Sequence, residues 1–128
     1  MKRAVFAGRD EDQFIEVEQM LSRKNVSVES AGTGKDLLSL LSNSPGNGGI
    51  DLVVMDEKLP DTTARVLVES VTVQSPFTHC VVAGTMDKKE FHDAYEGYGV
   101  LMQLPPRPSE KDALALETHL DQLAGLSC

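Results

Sequence analysis

The sequence predicts an α/β domain: a doubly wound, parallel five-stranded sheet in the order 2-1-3-4-5, with helices on both faces. Three observations predict it. Five short, mostly apolar runs are spread along the chain, and between them apolar residues recur at helical spacing. The connections are short, and even the one rich in Gly, Pro and Ser is too short to divide domains. Alternation of this kind implies right-handed crossovers and a single sheet. At 128 residues the expectation is one domain spanning residues 1–128.

The elements follow in order. Ala4 to Ala7 reads as the first strand, closed by Gly8. Residues 11–23 read as an amphipathic helix on the spacing of Phe14, Val17, Met20 and Leu21, with Asp10, Glu11 and Asp12 at its positive end. Val26 to Ala31 is the second strand, and Gly32-Thr33-Gly34 turns the chain into a helix marked by Leu37, Leu38, Leu40 and Leu41. Asn43-Ser44-Pro45-Gly46-Asn47-Gly48-Gly49 reads as a flexible connection.

Ile50 to Met55, apolar but for Asp51, is the third strand and suits burial on both faces. It stops at Asp56; Pro60 forbids a continuing ladder, and Asp61-Thr62-Thr63 supplies caps for a helix carrying Val66, Leu67, Val71 and Val73. Ser75-Pro76 ends that helix. His79 to Ala83 is the fourth strand, Lys88 to Tyr95 the fourth helix and Val100 to Leu104 the fifth strand. After the rigid turn Pro105-Pro106-Arg107-Pro108, Leu114, Leu116, Leu120 and Leu123 mark a final helix capped by Ser109.

Charge narrows the function. Twenty acids stand against twelve bases, a net charge of −8. Direct nucleic-acid binding needs a basic footprint, which is missing, and anionic membranes are disfavoured for the same reason. No apolar run approaches the ~20 residues of a membrane-spanning helix, and the apolar stretch after Lys2-Arg3 is too short for a signal peptide. Cys80 falls in a core strand and Cys128 at the last position, so no disulfide is expected and a reducing cytoplasm fits. His79, His92 and His119 have no metal-ligand spacing. Gly32-Thr33-Gly34-Lys35 is not a phosphate-cradling P-loop: Glu29 stands where its first glycine belongs, and Asp36 follows the lysine. A flavin is disfavoured too, because Gly8 to Asp12 would repel phosphate.

In the predicted strand order Asp56 faces Gly8 to Asp10 at the carboxyl edge of the sheet, where open α/β sheets bind ligands. Here the residues match a family. The apolar strand followed by Asp56-x-x-Leu59-Pro60-Asp61, the turn Ser30-Ala31-Gly32-Thr33-Gly34-Lys35, Gly97 and Pro105 resemble the response-regulator receiver domain of two-component signalling, a flavodoxin-like (βα)5 fold, over essentially the whole chain.

The resemblance implies that Asp56 is the phosphoacceptor. It also implies a magnesium ion on Asp56 and the Lys58 backbone carbonyl, with Asp10 as a substitute acid if its loop shifts. Thr85 is the candidate hydroxyl for the phosphoryl group, and the Leu104–Pro105 bond is expected to be cis. The implied partners are a histidine kinase or phosphotransfer protein and a downstream protein, with homodimerisation permitted through charges from Asp87 to Glu90 and at Lys111 and Asp112. The implied role is signalling by protein contact, not enzymatic turnover.

Three supports of the family's pattern are missing or displaced. Gly8 and Arg9 stand at its acid pair, Ala83 or Gly84 near its hydroxyl, and Leu104 at its lysine. Magnesium is therefore expected to bind weakly. Arg9 is a candidate replacement cation, since guanidinium suits phosphate geometry. The alternative reading is a pseudo-receiver, an interaction module that works without phosphorylation.

Overall fold

A computed structural model describes residues 2–43 and 49–127. Five strands, β1 (Arg3–Ala7), β2 (Ser27–Ala31), β3 (Leu52–Asp56), β4 (His79–Ala83) and β5 (Val100–Leu104), form one sheet in the order β2-β1-β3-β4-β5, all parallel. Between and after them run α1 (Ile15–Arg23), α2 (Gly34–Ser42), α3 (Ala64–Gln74), α4 (Lys88–Tyr95) and α5 (Glu110–Ser127). The expected α/β architecture and strand order are those observed. Residues 44–48, within the connection expected to be flexible, and Cys128 lie outside the described residues.

Alternating side chains divide the core. Val53 and Met55 of β3 face one layer with Leu37, Leu67, Val68 and Val71 of α2 and α3; Leu52 and Val54 face the other with Val17, Met20, Leu116 and Leu120 of α1 and α5. The third strand is thus buried on both faces, as its composition requires.

Boundaries differ from the sequence reading where hydrogen bonds cross the chain. The stretch 11–23 is not one α-helix. Asp10 caps a 3-10 turn (Glu11–Phe14) by accepting from the Asp12 N–H at 3.0 Å, and the α-helix begins at Ile15. Val26 stays out of β2 because its N–H donates back to the Leu21 carbonyl at 3.0 Å, closing α1 over the left-handed Asn25 (φ 61°). The third strand begins at Leu52, two residues later than read, and includes Asp56; Asp51 before it receives the Lys2 and Arg3 N–H groups on its carboxylate.

Thr63 caps α3, but Asp61 serves a different helix. Its carboxylate accepts from Gly34 N at 2.8 Å and Lys35 N at 3.0 Å, so the loop after β3 caps α2. Those two N–H groups hold the Asp61 carboxyl below its ordinary value. Close approach makes Gly34 necessary, because a Cβ there would stand 2.6 Å from Thr62 Cγ2. The Leu104–Pro105 bond is trans, contrary to expectation. The chain reverses instead at Arg107, whose φ of 58° is left-handed.

Candidate functional site

Asp56 ends β3, paired through the sheet with Ala83 of β4. It is half-buried. A Cβ placed on Gly8 would lie 3.5 Å from Asp56 Cβ and 3.7 Å from its Oδ2, so the loop after β1 runs directly beside the carboxylate. The predicted meeting of Asp56 with Gly8 is therefore present. Burial pushes the Asp56 carboxyl above its ordinary value; the Gln13 side chain and the Glu57 main chain oppose this, the Glu57 charge reinforces it, and the Arg9 charge opposes it.

The other expected residues fall around this point differently. Arg9 is exposed, and its charge reaches Asp56. Asp10 is engaged elsewhere: its carboxylate caps the 3-10 turn and forms an ion pair with Arg107 of the turn before α5. Thr85 is exposed, one residue beyond Gly84. The Lys58 side chain is exposed. Lys58 and Thr63 form an isolated antiparallel bridge closed by Leu59 N to Thr62 O and Ala64 N to Glu57 O, and the Lys58 carbonyl takes part in neither bond.

Leu104 is 1% exposed and packs among Ala83, Ala113 and Leu116, so the lysine position of the resemblance is here a core position. Tyr95 is buried against Phe91, with ring centroids 4.8 Å apart. Tyr98 braces the turn before β5 to α3: its hydroxyl donates to Glu69 at 2.9 Å, and the Arg65 guanidinium lies 4.6 Å from its ring centroid.

Sequence reasoning passed over three residues. Gln13 is only 7% exposed and lies beside Gly8, where its Oε1 would stand 3.6 Å from an added Cβ, and it helps keep the Asp56 carboxyl down. Its signal was position, because residues 13, 17 and 20 share one helical stripe on which Gln13 is the polar member. Glu57 lies against Gly84, where an added Cβ would come within 3.0 Å of its carboxylate. Gln103 pairs with both main-chain groups of Met86, accepting from N at 3.0 Å and donating to O at 2.8 Å. Neither Glu57 nor Gln103 left a trace in the sequence pattern.

The residues present do not fit a dedicated magnesium site. One carboxylate and one main-chain carbonyl remain, Asp10 is paired with Arg107, and Arg9 brings positive charge. No group of three His, Cys, Asp or Glu gathers to hold a metal among the described residues. No helix among them is long and apolar enough to cross a membrane.

No protein-family model matches the sequence, and no curated protein matches it. Solved structures do. The signal receiver domain of an HD domain-containing protein from Pseudomonas fluorescens Pf-5 superposes with a TM-score of 0.76 at 18% identity, over 98% of this chain and 91% of that one. The chemotaxis response regulator CheY4 of Vibrio cholerae gives 0.75 at 19% identity, over 93% and 98%. A CheY-like receiver domain protein from Methanospirillum hungatei JF-1 gives 0.71 at 21% identity, over 95% of each chain. The chain has the fold of response-regulator receiver domains.

Proposed function

We propose that this chain is a receiver-type signalling domain, cytoplasmic, in which Asp56 accepts a phosphoryl group from a histidine kinase or a phosphotransfer protein. The observation that carries this reading is the placement of Asp56. It stands at the carboxyl end of the central strand, beside the loop after β1, where doubly wound sheets present ligands. An Asp56 carboxylate oxygen attacks phosphorus, the bond from phosphorus to the donor's leaving atom breaks, and the leaving group departs with the electron pair. Gln13 orients the carboxylate, and Arg9 is the cation within electrostatic reach.

The change at Asp56 passes to partners by protein contact. The surface that supports this is a groove of about 590 Å³ between α4 and β5, lined by Phe91, His92, Tyr95, Tyr98, Leu101 and Met102. Pairing of two copies through the α4 and α5 surface belongs to the same reading. So does weak magnesium binding at Asp56 and the Lys58 carbonyl.

Buried Leu104 favours a second reading, a phosphorylation-independent interaction module, because no β5 lysine is present to sense a phosphoryl group. Intact-mass spectrometry after incubation with acetyl phosphate, with and without magnesium and beside Asp56→Ala, separates the two. A phosphoryl-sized gain lost in Asp56→Ala supports the first reading. No gain under any condition sinks it and leaves the second.

A further inference from the structure

Glu57 follows Asp56 directly, and its side chain lies along the backbone of Gly84. A Cβ on Gly84 would stand 3.1 Å from Glu57 Cβ and 3.0 Å from both Cδ and Oε2, so the contact runs from the root of the side chain to its carboxylate. The strand end fixes that root: Glu57 N donates to Ala83 O at 2.8 Å, and Glu57 O accepts from Ala64 N at 3.0 Å. A side chain at position 84 would crowd this arrangement, and Glu57 would have to give by a few tenths of an ångström. The carboxylate's field acts in two directions. Burial first, and then the Glu57 charge, raise the Asp56 carboxyl; burial first, and then the same charge, raise the Tyr95 hydroxyl on α4.

We infer that Glu57 is an electrostatic gate on Asp56: seated across Gly84, its carboxylate repels anionic phosphoryl donors and selects against those of higher charge. The inference rests on the phosphoacceptor reading and adds a specificity-determining residue to it. Each donor brings negative charge toward a carboxylate that already has an anion for its chain neighbour. Arg9 offsets part of that repulsion from an exposed position, where solvent ions screen it. The chemical step itself is unaltered. Asp56 oxygen bonds to phosphorus, and acetate leaves acetyl phosphate with the electron pair of the broken P–O bond.

The test uses the whole chain and two small donors, acetyl phosphate (a dianion at neutral pH) and phosphoramidate (net monoanionic). Loading is followed by intact mass with Asp56→Ala as the blank. Glu57→Gln keeps the size and half-exposed setting of the side chain and removes its charge. It is expected to load from acetyl phosphate about three- to tenfold faster than wild type at low salt. The gain should be smaller with phosphoramidate, and it should shrink in molar salt.

Equal rates for wild type and Glu57→Gln, or a gain indifferent to donor charge and salt, overturn the gate and leave Asp56 a phosphoacceptor. Failure of every variant to load from either donor overturns the phosphoacceptor reading, and the gate falls with it.

Discussion

The loop that follows β3 and the strand ends that surround it stand side by side and are built differently. The β3 loop is braced at each step: Glu57 O and Thr62 O accept main-chain bonds, Thr63 caps α3, and Asp61 reaches across to the first two N–H groups of α2. Its residues keep the resembled pattern. The neighbouring ends of β1, β4 and β5 carry Gly8 and Arg9, Ala83 and Gly84, and Leu104 where the resemblance puts acids, a hydroxyl and a lysine, and other parts of the chain fill the space. Gln13 lies beside Gly8, Glu57 lies along Gly84, and the core takes Leu104. A scaffold and the chemistry it displays can thus change separately, because packing and caps hold the fold while a few strand-end side chains set the reaction.

Putting the resembled lysine back is the most direct way to break that contrast. Leu104→Lys places an ammonium among Ala83, Ala113 and Leu116, and is expected to cost about 2–5 kcal/mol in urea unfolding. A cost near zero would show that position 104 accepts the resembled lysine. The braced loop has its own sensitive point in Gly34→Ala, whose new methyl meets Thr62 Cγ2 at 2.6 Å. A loss of about 1–3 kcal/mol is expected, read in the same experiment.

Smaller effects sharpen the contrast through pH, since the two carboxylates are shifted in opposite directions. Asp61 lies below its ordinary value of 3.8 when folded, so its contribution is present above that value and is lost as pH falls through the lower folded one. Asp61→Asn should therefore flatten the acid limb of stability against pH, measured by thermal melts at descending pH. Asp56 lies above 3.8 when folded, so the native state holds its proton more firmly. Its ionisation costs stability above the folded value, and that cost disappears as pH falls to 3.8. Asp56→Asn should melt slightly higher than wild type at pH 7, and the difference should vanish in acid. A lower melting temperature at pH 7 would mean that Gln13 and Arg9 outweigh burial.

The smallest expected effect concerns Cys80, whose thiol burial pushes up to about 12. In a Cys128→Ser background it should resist maleimide until the protein unfolds, and fast labelling of native protein would contradict the packing of β4.

The strands, their order and Asp56 were legible in the sequence because they follow from short-range patterns. Apolar runs, helical spacing, Pro60 and the capping Thr63 act within a few residues of one another. The site's completion was not, because it depends on groups brought together from distant parts of the chain. Arg107 meets Asp10 across 97 positions, and Glu57 meets Gly84 from the next strand. Asp10 looked available because its partner, Arg107, lies far from it in sequence. The departures at Gly8, Arg9, Ala83 or Gly84 and Leu104 were visible in the sequence, since their residue types contradict the places they hold in the resembled pattern.

The Gln103 side chain offers Met86 one acceptor and one donor, the same pair that a peptide unit on an adjacent strand offers. The segment between β4 and α4 is therefore stitched at Met86, beyond the Gly84 N–H that donates to the Leu104 carbonyl at 2.9 Å, as if the sheet continued there. In deuterated solvent the Met86 amide should exchange at a rate closer to that of the sheet than to that of Thr85 beside it. The lifetime of that proton would measure how often the loop between β4 and α4 opens.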